Sequence, residues 1–230
     1  MRVAIVQSNY LPWKGYFDLI ASVDCFVLYD DAQFTRRDWR NRNIIKTPQG
    51  LQWLTVPVLS KNKYFQKIND TRIENDAFAK KHWRSIEANY NKARHFQTMA
   101  ELIRPFFEGP IPDCLSDINA DLTHRICRFL GINTKILSSS DFDLEEGVNE
   151  RLLCICRQLK ADVYVSGPLA KDYLDVELFG KDGVAVEWFD YSGYPVYEQL
   201  WGDFEHGVSV IDLIANTGED APKFMKQVAK

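Results

Sequence analysis

Residues 3–29, VAIVQSNYLPWKGYFDLIASVDCFVLY, decide the fold. Residues 3–7 open the chain as a short apolar run. Residues 15–21 carry Tyr16, Phe17, Leu19 and Ile20 at helical spacing. Residues 25–29 form a second apolar run, of a length that suits a buried strand. Strand, loop, short helix, strand is a βαβ unit with a right-handed crossover.

Working outward, residues 52–59 (QWLTVPVL) predict a third strand, with Pro57 pointing to an edge or an irregularity. Residues 61–67 are polar and loop-like. Residues 76–107 have helical periodicity through Trp83, Ile86, Tyr90, Met99 and Leu102, interrupted near 91–95. Residues 116–130 predict a helix with Ser116 as N-cap and Gly131 past its end. Strands follow at 134–137, 162–166 and 183–191, a helix at 149–159, and closing helices at 208–215 and 221–228. Strands alternating with helices give an α/β fold, a Rossmann-like and mostly parallel sheet with helices on both faces. One α/β domain over 1–230 is the simpler account, with 76–130 as a helical insertion or cap subdomain.

Composition narrows the function classes. Hydrophobic residues make up 46% and charged residues 26% of the 230, enough apolar content for a real core. The net charge of −4 argues against a nucleic-acid binder. The sequence has no apolar run long enough for a membrane span and no signal peptide. Five Cys without a CxxC pair read as reduced cytoplasmic thiols, so the expected location is the cytoplasm. Cys154 and Cys156 sit on an apolar helix and read as buried and inert. His82, His95, His124 and His206 are isolated and read as structural.

Directly after the second strand comes Asp30 to Lys46, DDAQFTRRDWRNRNIIK. Open α/β sheets place ligands at strand ends like this one. Gln33 offers an amide donor and acceptor. Arg36, Arg37, Arg40 and Arg42 offer guanidinium forks to phosphate or carboxylate. Asn41 and Asn43 add amides. Asp30 or Asp31 can bind a ligand hydroxyl, orient an Arg or act as a base, and Asp31, Arg37 and Lys171 are the catalytic candidates. A Mg²⁺ ion at Asp30 or Asp31 is compatible with the pattern but not implied by it, and no metal ligand is assigned.

The loop at 7–16, QSNYLPWKGY, leads from a strand end to a helix N-terminus, a natural place for phosphate. Gln7, Asn9 and Tyr10 are candidate contacts, and Gly15 permits close backbone approach. The loop's spacing resembles that of the HIGH-motif nucleotidyltransferases, with Trp13 and Tyr16 where those enzymes carry His. Trp13 and Tyr16 either pack the first helix or line the site. Ser139, in the SSS after the fourth strand, is a phosphate or ribose contact, or part of an N-cap turn. Ser166, Gly167, Lys171 and Tyr173 either close over an anion or acyl group or form a turn and a capped helix. Tyr191, Tyr194 and Tyr197 read first as core aromatics, with Tyr197 kept as a stacking candidate.

Several stretches together resemble the WbqC-like family. They are QSNYLPWKGYFDLI, DDAQFTRRDWRNRN, IKTPQG, WLTVPV, KKHWRSIEANY, SSS, SGPLAKDYLD and YPVYEQLWGDFEHGVSVIDLIANTG, in one order along the chain. Ile44 departs from the basic residue expected there, which removes one cation from the loop. The resemblance implies an association with bacterial O-antigen gene clusters. It implies a transferase or ligase using a nucleotide-sugar or acyl donor, such as one that adds glycine to an amino sugar. The first loop and Gln33-Phe34 also resemble pantothenate synthetase, which works through an acyl-adenylate. The alternative is a non-catalytic protein that binds a nucleotide-sugar or a partner. A small-molecule substrate is expected on either reading, and a homo-oligomer is compatible with both.

Overall fold

A computed structural model describes residues 1–228. The sheet contains β1 (Arg2–Val6), β2 (Cys25–Leu28), β5 (Lys135–Ser138), β6 (Val163–Ser166) and β7 (Ala185–Trp188). Its order is β5-β2-β1-β6-β7 and every pairing is parallel. Counting sheet strands in chain order, this reads third-second-first-fourth-fifth. The direction of growth reverses between β1 and β6, and that switch point opens a crevice at the carboxyl edge.

Both faces of the sheet are buried, which is why its strands read as apolar runs without alternation. Ala4, Phe26 and Leu28 face the larger core. That core also takes residues of α1 (Lys14–Ala21), α2 (Ala77–Tyr90), α3 (Phe96–Glu108), α4 (Leu115–Phe129) and α7 (Val210–Thr217). Val3, Ile5, Cys25 and Val27 face the other core, built with α5 (Val148–Leu159) and α6 (Val176–Lys181). All five cysteines are free and buried. Among the described residues, no helix is long and apolar enough to cross a membrane.

Three elements differ from the sequence reading. The residues expected to form a third sheet strand belong to a separate hairpin of β3 (Arg42–Thr47) and β4 (Gly50–Thr55). The end of the polar run, residues 42–46, is therefore strand. Its two-residue turn, Pro48-Gln49, is held by Thr47 Oγ1, which donates to Gly50 O (2.9 Å) and accepts from Gln49 N (3.1 Å). The N-cap of α4 is Cys114, not Ser116, and Thr71 O accepts the Leu115 amide (2.9 Å) in place of a capping side chain. The expected last helix is a 3₁₀ run, Gly218–Phe224, containing Pro222. Beyond it, both Asp18 carboxylate oxygens accept backbone amides, from Lys226 and Gln227 (2.7 Å each).

Tyr10, read as a ligand contact, is fully buried. Its hydroxyl is 2.8 Å from His82 Nδ1. Burial drives the His82 pKa down to about 4, against a smaller opposing effect of the Thr55 backbone. This pair joins the first loop to α2. A folded-state pKa below the unfolded value contributes stability that is present above pH 6.5 and lost as pH falls towards 4. In His82→Gln that acid-side slope should flatten, by up to ~3 kcal/mol across the window, in urea unfolding measured from pH 4 to 7.

Candidate functional site

The carboxyl edge of the sheet is built around buried polar groups. Ser139 Oγ accepts the backbone amides of Asp30 (3.1 Å) and Asp31 (3.2 Å) and donates to Asp31 Oδ2 (2.8 Å). Asp30 Oδ1 accepts the Ser8 amide (2.9 Å). Asn119 Nδ2 reaches Ser8 Oγ and Arg40 O, each at 2.9 Å. Lys67 Nζ pairs with Asp31 Oδ1 (2.8 Å). The ends of β1, β2 and β5 are thereby welded to α4 and to the arginine segment.

This corrects three expectations. Ser139 is fully buried and serves the scaffold rather than a phosphate or ribose. Asp31 has both oxygens engaged. Burial raises its pKa, but the hydrogen bonds from Lys67 and Ser139 outweigh that and hold it below the usual carboxylate value. An ionised, occupied carboxylate is a poor base. Burial pushes the Asp30 pKa up. With Asp30 enclosed and Asp31 occupied, the pair does not fit a Mg²⁺ site. Among the described residues, no three His, Cys, Asp or Glu side chains converge as a metal site.

The arginine segment and the first loop are stapled together. Trp39 O accepts the Tyr10 amide (3.0 Å). Asn43 Nδ2 donates to Tyr10 O (3.1 Å) and Leu11 O (2.9 Å). The Val210 amide donates to Pro12 O (2.9 Å). Leu11 (φ 43°) and Arg37 (φ 58°) both sit in the left-handed region, at a cost of about 1–3 kcal/mol each. Arg40 is mostly buried and donates to Gln7 Oε1 (2.5 Å). Asn41 donates to Val56 O (2.8 Å). Gln33 donates to Tyr64 O (2.7 Å), and Arg36 to Ser60 O. Arg42 donates to Arg37 O and lies 4.0 Å over the Trp53 ring. Much of the polarity that looked available to a ligand holds the backbone instead.

What remains open is a cleft of about 280 Å³ lined by Asn9, Pro12, Trp13, Trp39, Asn43, His206 and Gly207. Trp39 leans on Trp53 with centroids 5.3 Å apart. Asn9 Oδ1 is buried and has no hydrogen-bond partner among the described residues. The Trp13 indole folds over Gly15, where an added Cβ would lie 2.6 Å from Trp13 Cη2. The close approach that Gly15 permits is thus taken by the indole, not by a phosphate.

The far wall comes from residues 189–207, a strap without regular secondary structure. Two buried lysines hold it. Lys14 Nζ donates to Pro195 O (2.8 Å) and lies 5.1 Å from the ring centroids of both Tyr194 and Tyr197. Burial lowers its pKa to about 8, although Asp18 and Asp212 oppose the shift. Lys46 Nζ donates to Gln199 Oε1 (2.9 Å) and to Asp203 O. His206 was read as structural, but it is exposed and lines the cleft. Nothing in the aperiodic strap signalled this. Trp39 was visible as an aromatic in the polar run.

The structure keeps other expected residues out of the cleft. Tyr16 is buried and donates to Gln7 O (3.2 Å). Tyr197 is buried and donates to Asp212 Oδ1 (2.8 Å), so it belongs to the core. Ser166 is buried, and Gly167 abuts Tyr191, which packs on Trp13 at 5.5 Å between centroids. Aromatic rings therefore stand between the β6 end and the first loop. Lys171 lies 5.6 Å over the Trp188 ring, at the β7 edge. Tyr173 is exposed, with its carbonyl bound by Asn149. Of the anticipated residues, Asn9, Trp13 and Asn43 line the cleft.

The chain matches the WbqC-like protein family over residues 7–224. It is 51% identical over 225 residues to an uncharacterized protein of Mycobacterium tuberculosis (strain ATCC 25618 / H37Rv). The match covers 98% of this chain and 97% of that protein. No solved structure matches significantly.

The two asparagines of the cleft should separate by stability. Asn43→Ala strands two buried carbonyls and should cost about 1–3 kcal/mol. Asn9→Ala removes no internal bond and should stay within about 0.5 kcal/mol of the parent. Urea unfolding of both variants measures the difference.

Proposed function

The chain belongs to the WbqC-like protein family, and from that premise we propose that it is a transferase or ligase acting on a nucleotide-activated sugar or acyl donor in surface-polysaccharide synthesis. The observation that carries this reading is the cleft with Trp13 and Trp39 in its walls and an unpartnered, buried Asn9 oxygen. Aromatic faces suit a base or the C–H face of a pyranose. The Asn9 amide offers an acceptor and a donor to hydroxyls or a base edge. The Arg42 guanidinium, stacked on Trp53 beside Trp39, supplies charge for a diphosphate.

Among the described residues, His206 is the one side chain lining the cleft that can carry a proton to or from a ligand. It is the proton-transfer group this reading assigns, in place of Asp31. The rest of the catalysis rests on positioning and electrostatics. Glycyl transfer to an amino sugar fits this scheme: the sugar amine attacks the carbonyl carbon of an activated glycyl donor. The acyl bond to the donor's phosphate or thiol leaving group breaks as the amide C–N bond forms, and His206 takes the amine's proton and passes it to the leaving group.

A second reading, binding without turnover, is favoured by one observation: among the described residues, no carboxylate lines the cleft. Thermal shift against nucleoside diphosphate sugars tests the common part. At a hundredfold excess over Kd, binding adds about 2.7 kcal/mol, which is roughly 5–10 °C in Tm for a chain of this size. Trp39→Ala should abolish the shift. Mass spectrometry with amino acid and acyl-donor mixtures then separates the two readings. A new product lost in His206→Ala supports the enzyme, and binding without product supports the second reading. A flat thermal profile across the sugar panel overturns both.

A further inference from the structure

Residues 60–67, SKNKYFQK, place two adjacent aromatic rings in water. Phe65 is 87% exposed and Tyr64 69%. Leu59, just before them, is exposed as well. Lys61 and Lys63 precede these rings along the chain and the Arg36 guanidinium lies 5.9 Å from the Tyr64 ring centroid, all three cations exposed. None of the three forms an ion pair among the described residues, whereas Lys67 is paired with Asp31. The chain as a whole carries −4, so this corner inverts the sign of the molecule. Among the described residues, Glu74 is the single acid lining the groove between Arg36, Lys61 and Lys63.

The loop is held in shape. The Phe34 amide donates to Gln66 O (2.9 Å) and the Ile68 amide to Ala32 O (3.0 Å). Gln33 and Arg36 donate to the Tyr64 and Ser60 carbonyls. Asn62 turns the tip with φ 59°. The two rings are therefore presented by a braced projection, and docking them loses little chain entropy.

We propose that this loop docks the protein on an anionic lipid surface, with Phe65 and Tyr64 at the boundary between headgroups and acyl chains and Arg36, Lys61 and Lys63 among the headgroups. Both halves of that chemistry are present. Aromatic side chains favour the interface, and basic residues near an anionic surface add attraction that salt screens. A nucleic-acid strand would use the same cations but needs a longer basic track, in a chain whose net charge is −4. A bilayer meets only the projection. The inference stands on the loop alone and does not depend on the ligand of the cleft.

Vesicle flotation of the full chain tests it, with phosphatidylglycerol–phosphatidylcholine vesicles against pure phosphatidylcholine, at low and high salt. Partition into the anionic vesicles should be at least tenfold stronger and should fall as salt rises. Lys61→Gln with Lys63→Gln should lower it by about 25-fold, roughly fivefold per lysine. Phe65→Ser should lower it by about tenfold. Leu51→Ser, at another exposed apolar position on β4, should leave it unchanged. All of these positions are exposed, and a thermal melt confirms that each variant folds. Equal partition into both vesicle types, no partition, or partition indifferent to Phe65→Ser overturns the proposal. So does binding of a polyuridylate oligonucleotide, lost in the same variants, by a chain that leaves vesicles untouched.

Discussion

Two backbone amides, those of Asp30 and Asp31, converge on one oxygen, Ser139 Oγ. That hydroxyl answers by donating to the Asp31 carboxylate. All three residues are buried, so each group left unpaired would carry its full desolvation cost. The arrangement ties the end of β2 to the end of β5, while Asp30 ties both to β1 through the Ser8 amide. Asn119 extends the weld to α4 and to the Arg40 backbone. The loops that form the cleft start from this fixed edge. The bonds made within such a buried network fix geometry because breaking any of them strands a polar group away from water.

The same network explains what was legible in the sequence. The parallel sheet was, because strands buried on both faces appear as apolar runs, as in Val3 to Val6 and Cys25 to Leu28. The β3–β4 hairpin was not. Arg42, Asn43 and Lys46 make β3 look like a loop, and β4 exposes Leu51 and Trp53. The closing helix failed because Pro222 and the Asp18 staple favour a tighter path. In the site, density of polar groups was a poor guide. Gln7, Asn41 and Asp31 are absorbed by neighbours across the fold, pairings that no local pattern announces. Asn9 and Trp13 were legible through their place after β1. His206 was hidden because 189–207 has no period to place it.

Two buried lysines and two left-handed residues belong to the same design. Lys14 and Lys46 hold the strap against rings and carbonyls rather than carboxylates. Leu11 and Arg37 hold the opposing loops in conformations their side chains disfavour. Strain of this sort persists where surrounding bonds over-determine the backbone, and Asn43 does so for Leu11. The walls of the cleft thus come from three segments, each held by hydrogen bonds to the rest of the fold, so that its surfaces are already in position.

The indole of Trp13 lying over Gly15 has a consequence for variation at this edge. An alanine at 15 collides with the tryptophan, whereas a small residue at 13 leaves a void over the glycine and uncovers the first turn of α1. Positions 13 and 15 therefore behave as one volume shared between two residues. Exchange of that volume, a smaller side chain at 13 for a larger one at 15, would move the aromatic wall out of the cleft and change the size of ligand admitted while leaving the sheet beneath untouched.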